Sequence, residues 1–284
     1  MNKKVRIARL SVFSNTLLIV LKLVVGLISG SISIISEAIH SFMDLLASII
    51  AYFSVRISDT PADKRHPYGH GKFENMSGVV EAALIFVAAI WIIFEAVKKI
   101  MDPGEVEKIG YGFIVMTISA IVNLIVSRKL YKVAKETESI ALEADALHLK
   151  TDVYTSAGVA VGLLLIWIFD YHILDPVIAI IVALLILKES VELFIRAYSP
   201  LLDSSLSDNE IETIRTIIGR YCNNELDYHD LRTRKAGNYN YVDFHLNLPE
   251  TMTVGKAHEI CDAIENDIRA AMKNTEVTIH VENF

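Results

Sequence analysis

The 284-residue chain is 52% hydrophobic and has a mean hydropathy of +0.40, which argues against an ordinary cytosolic enzyme. The net charge of −7 lies entirely in the last 86 residues, which hold 15 acidic and eight basic residues. Neither part of the chain has the excess of lysine and arginine that is typical of nucleic-acid-binding proteins. The two cysteines, Cys222 and Cys261, lack CxxC spacing, so neither a disulfide framework nor a thiolate zinc site is indicated.

Six apolar stretches with almost no charge follow one another in the first two hundred residues. With its flanking turns, each reaches the roughly 20 residues that a helix needs to cross about 30 Å of hydrocarbon. The sequence therefore predicts an integral membrane all-α bundle of six transmembrane helices, around 10–35, 38–55, 82–94, 109–127, 153–169 and 176–187. No small-residue cleavage site follows the first stretch, so we expect a retained helix there.

Alternate connections between the predicted spans differ in their content of lysine and arginine. Twelve of these residues lie in the N-terminal segment and after the second and fourth spans, against three in the other connections. Positive charge is retained on the cytoplasmic side of a bilayer. We therefore expect both termini in the cytoplasm and the chain in the cell inner (plasma) membrane.

Charged residues become frequent after Pro200, and no later segment is long enough to span a bilayer. Ser207 and Glu210 have capping-box spacing, which predicts a helix from there to about Cys222. Further periodicity predicts strands near 228–234, 241–248 and 276–281, with a helix over 253–273 before the last strand. The order α-β-β-α-β predicts a small α+β open sandwich with both helices on one side of the sheet.

These patterns divide the chain into two predicted domains. Residues 1–203 form the transmembrane domain, which includes a cytoplasmic, histidine-containing loop at about 58–73. Residues 204–284 form a cytoplasmic domain that we expect to bind metal and to dimerise.

A histidine followed four residues later by an aspartate occurs in the second and fifth predicted helices, as His40/Asp44 and as His148/Asp152. This spacing puts an imidazole and a carboxylate on one helical face. The second pair lies just before the apolar stretch 153–169, in a helix that we expect to enter the bilayer near Ala141. Helix rise counted from opposite sides of the bilayer puts both aspartates about 16 Å deep. Four such ligands meeting there suit a tetrahedral Zn²⁺ site. The alternative is that each pair is a local cap or a helix-packing ion pair.

Other ionisable residues in these helices have different interpretations. Glu37 and Asp145 lie one turn from the paired motifs and are expected to line the outer and inner approaches. Pairing with neighbours or snorkelling accounts for four further polar residues within spans, Lys22, Glu81, Glu95 and Asn123.

Two clusters outside the spans also have ligand chemistry. Asp63, His66 and His70 fall within eight residues of a glycine-containing loop and could form a three-ligand surface site, the alternative being a solvated polar loop. The acidic C-terminal domain carries a second candidate set, His229, His245, His258, His280 and Glu282. A single histidine there would be an ordinary surface residue, but four in one small acidic domain favour metal binding.

Taken together, these motifs resemble the cation diffusion facilitator family of divalent-metal transporters, and the match runs from about Leu10 to Val281. The resemblance is carried by the motifs His40-Ser-Phe-Met-Asp44, His66-Pro-Tyr-Gly-His70-Gly-Lys72, His148-Leu-Lys-Thr-Asp152 and His229-Asp-Leu-Arg-Thr-Arg234. Two positions depart from the usual pattern of bacterial members, which more often have aspartate at His40 and at Glu282.

The resemblance implies a bacterial zinc-transporter type: a homodimer with metallochaperone-like cytoplasmic parts that exchanges metal ions for protons. It also implies that Asp63, His66 and His70 form a loop site. A cytoplasmic site is implied for the C-terminal set, His229, His245, His258, His280 and Glu282. Lys72 and Asp203 match a charged pair at the junction of the membrane and cytoplasmic parts.

The sequence thus predicts a secondary transporter, not an enzyme, that exports Zn²⁺ from the cytoplasm. An exporter of the same family preferring Mn²⁺, Fe²⁺, Cd²⁺ or Co²⁺ is the first alternative. A membrane metallohydrolase is disfavoured because four protein ligands leave no open position for an activated water. A metal sensor or scaffold with a merely anchoring membrane part is disfavoured because ligands lie at matched depth within the spans.

Overall fold

The computed structural model describes residues 2–29, 32–101, 111–169, 173–222 and 226–283. Within these ranges, only the backbone is described for residues 29, 32–37, 39, 40, 43, 111–113, 116, 159–169, 174 and 175. The chain divides into two compact units, Met1–Tyr198 and Ser199–Phe284. The predicted boundary at 203/204 stays a prediction.

The first unit consists of long helices that overlap the predicted apolar stretches. They are α1 (Lys3–Ser29), α2 (Ile32–Ser58), α3 (Lys72–Met101), α4 (Tyr111–Thr137), α5 (Ile140–Phe169) and α6 (Leu174–Tyr198). The first helix ends at Ser29, so residues 32–35 of the predicted first span belong to the second helix. Residues 109 and 110 of the predicted fourth span lie outside the described residues. Among the described residues, the segments Lys3–Ile28 and Lys72–Met101 are long and apolar enough to cross a membrane. That all six helices span a bilayer stays a prediction.

Small and branched residues hold the helices of the first unit together. Helix α3 packs along α6, α1 along α2, and α4 along α5. Gly78 on α3 lies close to its neighbours, since a Cβ there would be 3.0 Å from the Ala197 side chain and 3.3 Å from that of Ile140. Such small residues let helix backbones approach closely where there is little hydrophobic driving force between them.

The second unit is a three-stranded sheet with two helices. Its elements are a 3₁₀ turn (Ser199–Leu202), α7 (Asp208–Gly219), β1 (Asp227–Ala236), β2 (Tyr239–Leu248), α8 (Val254–Ala271) and β3 (Thr275–Asn283). The strand order is β1-β2-β3, with β1 and β2 antiparallel and β2 and β3 parallel. The order of helices and strands is the one predicted.

One face of this sheet is buried beneath both helices. Phe244 and Leu246 alternate inward along β2 and pack against Ile218 of α7 and Ile264 of α8. Cys261 lies in the same core. The opposite face of the sheet therefore carries the intervening residues of each strand, which include histidines.

Candidate functional site

The deepest cluster of candidate ligands joins α2 to α5. The Nε2 atom of His148 lies 3.0 Å from Oδ1 of Asp44, and Asp152 lies one helical turn beyond His148. Ligand atoms of Asp44, His148 and Asp152 all lie within 4.8 Å of one another. Asp44 is 5% exposed, so these groups meet in the interior of the bundle. Three convergent donors of this kind can close on one divalent ion with little rearrangement.

Two predicted residues of this region cannot be placed from their side chains. His40 lies one turn before Asp44 in α2, and Glu37 lies one turn earlier still. The side chains of both fall outside the described residues. That His40 is the fourth ligand therefore stays a prediction. That Glu37 lines an approach to the site also stays a prediction.

A residue on α4 orients one of these ligands. The side-chain amide of Asn123 donates a hydrogen bond to Oδ2 of Asp152 at 3.1 Å. This pairing accounts for a polar residue within a predicted span. A partner that fixes a ligating carboxylate tunes both its geometry and its basicity.

Asp145 lies one turn before His148 on α5, and polar side chains of α1 and α2 lie close to it. Its Oδ1 accepts a hydrogen bond from Ser48 at 2.8 Å, and Ser48 also accepts one from Asn15 at 2.7 Å. These small polar partners were not singled out from the sequence, because serine and asparagine within an apolar run have little signal of their own. Asp145 is fully buried, so its role as a lining residue of an open approach stays a prediction.

A second buried network lies at the end of the first unit that carries the N-terminus. Lys4 Nζ lies 2.8 Å from Glu74 Oε1 and 2.7 Å from Asp59 Oδ1. Ser58 donates to Oε1 of Glu74 at 2.7 Å, and Ser139 donates to its other oxygen. The network therefore ties α1, α2 and α3 to the residue that precedes α5. Sequence reasoning counted Lys4 only as a topological charge and missed this network.

The three predicted ligands of the loop between α2 and α3 lie together. His66 Nδ1 lies 3.5 Å from Asp63 Oδ1, and His70 Nε2 lies 3.6 Å from Asp63 Oδ2. A turn supports them, since the Gly69 N–H donates to the His66 carbonyl and Gly69 has a φ of +81°, which a side chain would disfavour. Their ligand atoms lie within 4.8 Å of one another.

The carboxylate of Asp63 is prepared for ligation by backbone hydrogen bonds. The N–H groups of His66 and Arg65 each donate to its Oδ1 at 2.7 Å and lower the pKa of this carboxyl from its ordinary value of 3.8. An ionised carboxylate is the form that binds a metal.

Histidines of all three strands meet on the open face of the small sheet. His229, His245 and His280 occupy directly opposed positions on β1, β2 and β3. Their ring centroids are 5.1 Å apart for the first pair and 4.9 Å for the second. Glu282 lies between them, with carboxylate oxygens 3.0 Å from His245 Nδ1 and 3.5 Å from both His229 Nε2 and His280 Nε2.

The structure adds Asp230 to this cluster and leaves His258 apart from it. A register shift between His229 and Arg232 interrupts β1, and Asp230 there has a φ of +51°. The bulge brings a ligand atom of Asp230 within 4.8 Å of those of His229 and His245. His258 is on α8, on the covered side of the sheet, 3.7 Å from Asp262. Its participation in a cytoplasmic site stays a prediction.

The predicted charged pair at the domain junction has one member in each unit. In the second unit, Asp203 Oδ1 lies 3.6 Å from Arg234 Nη1, and the Arg234 guanidinium lies 4.3 Å from the Tyr241 ring centroid. Lys72 begins α3 in the first unit. The pairing of Lys72 with Asp203 stays a prediction.

Comparison with known proteins covers both units. The family model described as "Cation efflux transmembrane domain" matches residues 8–202, and the one described as "Cation efflux protein, cytoplasmic domain" matches residues 206–284. The chain is 36% identical to the transporter sll1263 of Synechocystis sp., over 92% of this chain and 84% of that protein. It is 33% identical to the cation-efflux pump FieF of Shewanella oneidensis, over 96% of this chain and 92% of that protein.

A solved structure also resembles part of the chain. The metal-bound C-terminal domain of the CzcD transporter from Thermotoga maritima is 25% identical, with a TM-score of 0.25. The similarity covers 28% of this chain and 94% of that chain.

Proposed function

Because the chain belongs to the cation diffusion facilitator family of membrane cation-efflux transporters, we propose that it exports Zn²⁺ from the cytoplasm in exchange for protons by alternating access. Members of this family are typically homodimers. We infer that this chain works as a homodimer in the inner membrane with both termini in the cytoplasm.

The observation that carries the proposal is the convergence of Asp44, His148 and Asp152 within the helix bundle. Carboxylate and imidazole ligands at matched depth in two different helices are what a substrate site near the bilayer midplane requires. The ion is substrate here. His40, one turn from Asp44, would complete a four-ligand set.

The donor set supports zinc as the preferred ion. Imidazole and carboxylate in a compact, low-coordination site suit Zn²⁺, whereas Mn²⁺ prefers more oxygen ligands and a higher coordination number. Fe²⁺, Cd²⁺ and Co²⁺ share part of this chemistry, and an exporter preferring one of these ions or Mn²⁺ is the second candidate function.

Proton exchange is supported by the chemistry of the ligands themselves. Imidazole must be neutral to bind a metal, so a proton and a metal ion compete for the same nitrogen. In the proposed cycle, cytoplasmic zinc displaces protons from the inward-facing site, and protons from a more acidic exterior displace zinc from the outward-facing site.

The loop site and the cytoplasmic cluster would hold further zinc ions. The loop site contains Asp63, His66 and His70, and the cytoplasmic cluster contains His229, Asp230, His245, His280 and Glu282. The C-terminal domain is strongly acidic, so bound divalent ions would offset the repulsion between two copies in a dimer.

Purified protein reconstituted in sealed vesicles tests the proposal. We expect zinc entry to move protons in the opposite direction, to accelerate with an opposing pH difference and to exceed entry of Mn²⁺ under the same conditions. Zinc flux that saturates but ignores the pH difference would identify a facilitated-diffusion carrier. A higher ranking of another ion would favour the second candidate function.

A further inference from the structure

Among the described residues, two fully buried carboxylates of the helix bundle form no ion pair with a lysine or an arginine. Glu81 on α3 and Asp145 on α5 are both 0% exposed. One oxygen of each accepts a hydrogen bond from a serine, Glu81 Oε1 from Ser77 at 3.1 Å and Asp145 Oδ1 from Ser48 at 2.8 Å. Within the described parts of the chain, Glu81 Oε2 and Asp145 Oδ2 have no hydrogen-bond partner.

Among the described residues, the charged groups that act on Glu81 lie on α5. Asp145 and His148 of α5 act on it electrostatically, and His148 is itself bonded to Asp44 of α2. Helix α6, which packs along α3, presents apolar side chains at this level, including Ile186 and Leu193. No lysine or arginine of the described residues forms an ion pair with either carboxylate.

Such an arrangement is unfavourable unless a cation is present. An ionised carboxylate in a low-dielectric interior costs several kcal/mol when it lacks a counter-ion. Two carboxylates that act on one another cannot both stay ionised there at little cost. The oxygen left unpartnered on each residue is the group that a bound proton would occupy.

We propose that Glu81 and Asp145 form a buried proton-binding pair that carries counter-transported protons beside the metal ligands, without binding the metal. This inference rests on the proposed exchange of metal for protons. A divalent ion on His148 would place positive charge one turn from Asp145 and favour the ionised pair, which releases protons. Departure of the ion would reverse the effect, so the two sites are coupled through their electrostatic field.

The matched control for Glu81 is Glu95 on the same helix, which is exposed. Full-length wild type and the variants E81Q, D145N and E95Q are reconstituted in vesicles that report zinc and pH together. We expect E81Q and D145N each to lower the number of protons moved per zinc ion by up to about one, since each removes one of two interacting carboxylates while the imidazole ligands still exchange their protons. E95Q should keep the wild-type ratio, and E81D should restore most of it.

The vesicle measurements separate loss of the exchange from loss of the proton-binding pair. Wild type that moves zinc without protons refutes the exchange itself. A wild-type ratio retained in both E81Q and D145N overturns the proton-binding pair while the exchange stands. Equilibrium dialysis supplies a further measurement, because E81Q protein that binds one zinc ion fewer than wild type would show that the pair holds metal, which also overturns it. If E81Q does not fold, as judged by size-exclusion chromatography, the ratios of D145N and E81D decide.

Discussion

The imidazole of His148 on α5 and the carboxylate of Asp44 on α2 are joined by a contact of 3.0 Å between Nε2 and Oδ1. Both atoms are ones that would coordinate a metal ion, so an incoming ion must insert between them and replace their mutual contact. The two helices are thus already held at the distance at which they can share an ion. Metal binding therefore needs little movement of the two helices. The contact between α2 and α5 is direct without the ion and would pass through the ion once it is bound.

Replacing Asp152 by asparagine should weaken zinc binding at the transport site by tenfold or more, equivalent to about 1.4 kcal/mol, because a charged ligand is lost in a low-dielectric interior. Zinc titration calorimetry and vesicle flux measure the effect. Glu189→Gln is the control, since Glu189 pairs with Lys150 away from the ligands. Near-normal zinc flux in Asp152→Asn would exclude Asp152 from the transport site.

Asn123→Ala should reduce zinc affinity by about tenfold, since loss of a group that orients a metal ligand typically costs 10–100-fold. The physical cause is the lost hydrogen bond to Asp152. Ser119→Ala on the same helix is the matched control, because the Ser119 hydroxyl has no partner among the described residues. Equal effects of the two substitutions, measured by zinc titration, would indicate a general packing defect in α4.

Glu282→Gln should abolish most of the thermal stabilisation that zinc gives to the full-length protein through its cytoplasmic domain. Glu282 lies within 3.5 Å of His229, His245 and His280, so its charge is central to the cluster. Glu276→Gln on the same strand is the control. Melting temperatures with zinc and with chelator provide the measurement, and a wild-type melting temperature indifferent to both would remove the metal role of this cluster.

Glu74→Ala should destabilise the first unit by about 3 kcal/mol, because it leaves the buried Lys4 ammonium without one of its two carboxylate partners. Lys3→Ala is the neighbouring control. It breaks an exposed pair with Glu136, which solvent screens, so its effect on stability should be small. Chemical unfolding in detergent distinguishes the two, and equal stabilities would show that the buried network contributes little.

The Asp63 carboxyl should titrate with a midpoint below 3.8, because the His66 and Arg65 N–H groups stabilise its ionised form and lower its pKa. A lowered folded-state pKa means that these bonds stabilise the loop above the unfolded value and that this contribution is lost as pH falls through the folded value. Carbon NMR of labelled aspartate follows the titration. A midpoint at or above 3.8 would show that the backbone bonds do not form in solution.

Much of the candidate site follows from helical spacing. His148 and Asp152 lie four residues apart, and a helix brings such residues to one face whatever surrounds it. The loop ligands Asp63, His66 and His70 are similarly close in sequence. For the same reason, alternation along β2 predicts that Phe244 is buried and that His245 lies on the opposite face, as the structure has them.

Contacts between distant elements could not be read in the same way. Asn123 reaches Asp152 because α4 packs against α5, and nothing in its own neighbourhood signals that partner. Asp230 would point away from His229 in a regular strand, but the bulge in β1 reverses this expectation. A bulge depends on pairing with the neighbouring strand, which local sequence does not specify.

The sequence by itself determined the two-part organisation, the helical and strand periodicities, and the residue types able to bind a divalent ion. Only the tertiary structure decided which of the buried charges are paired. Lys4 has two carboxylate partners, whereas Glu81 and Asp145 each keep an oxygen without a hydrogen-bond partner among the described residues. The reason is physical: periodicity is a local property of the backbone, but the partner of a buried charge depends on which helices pack together.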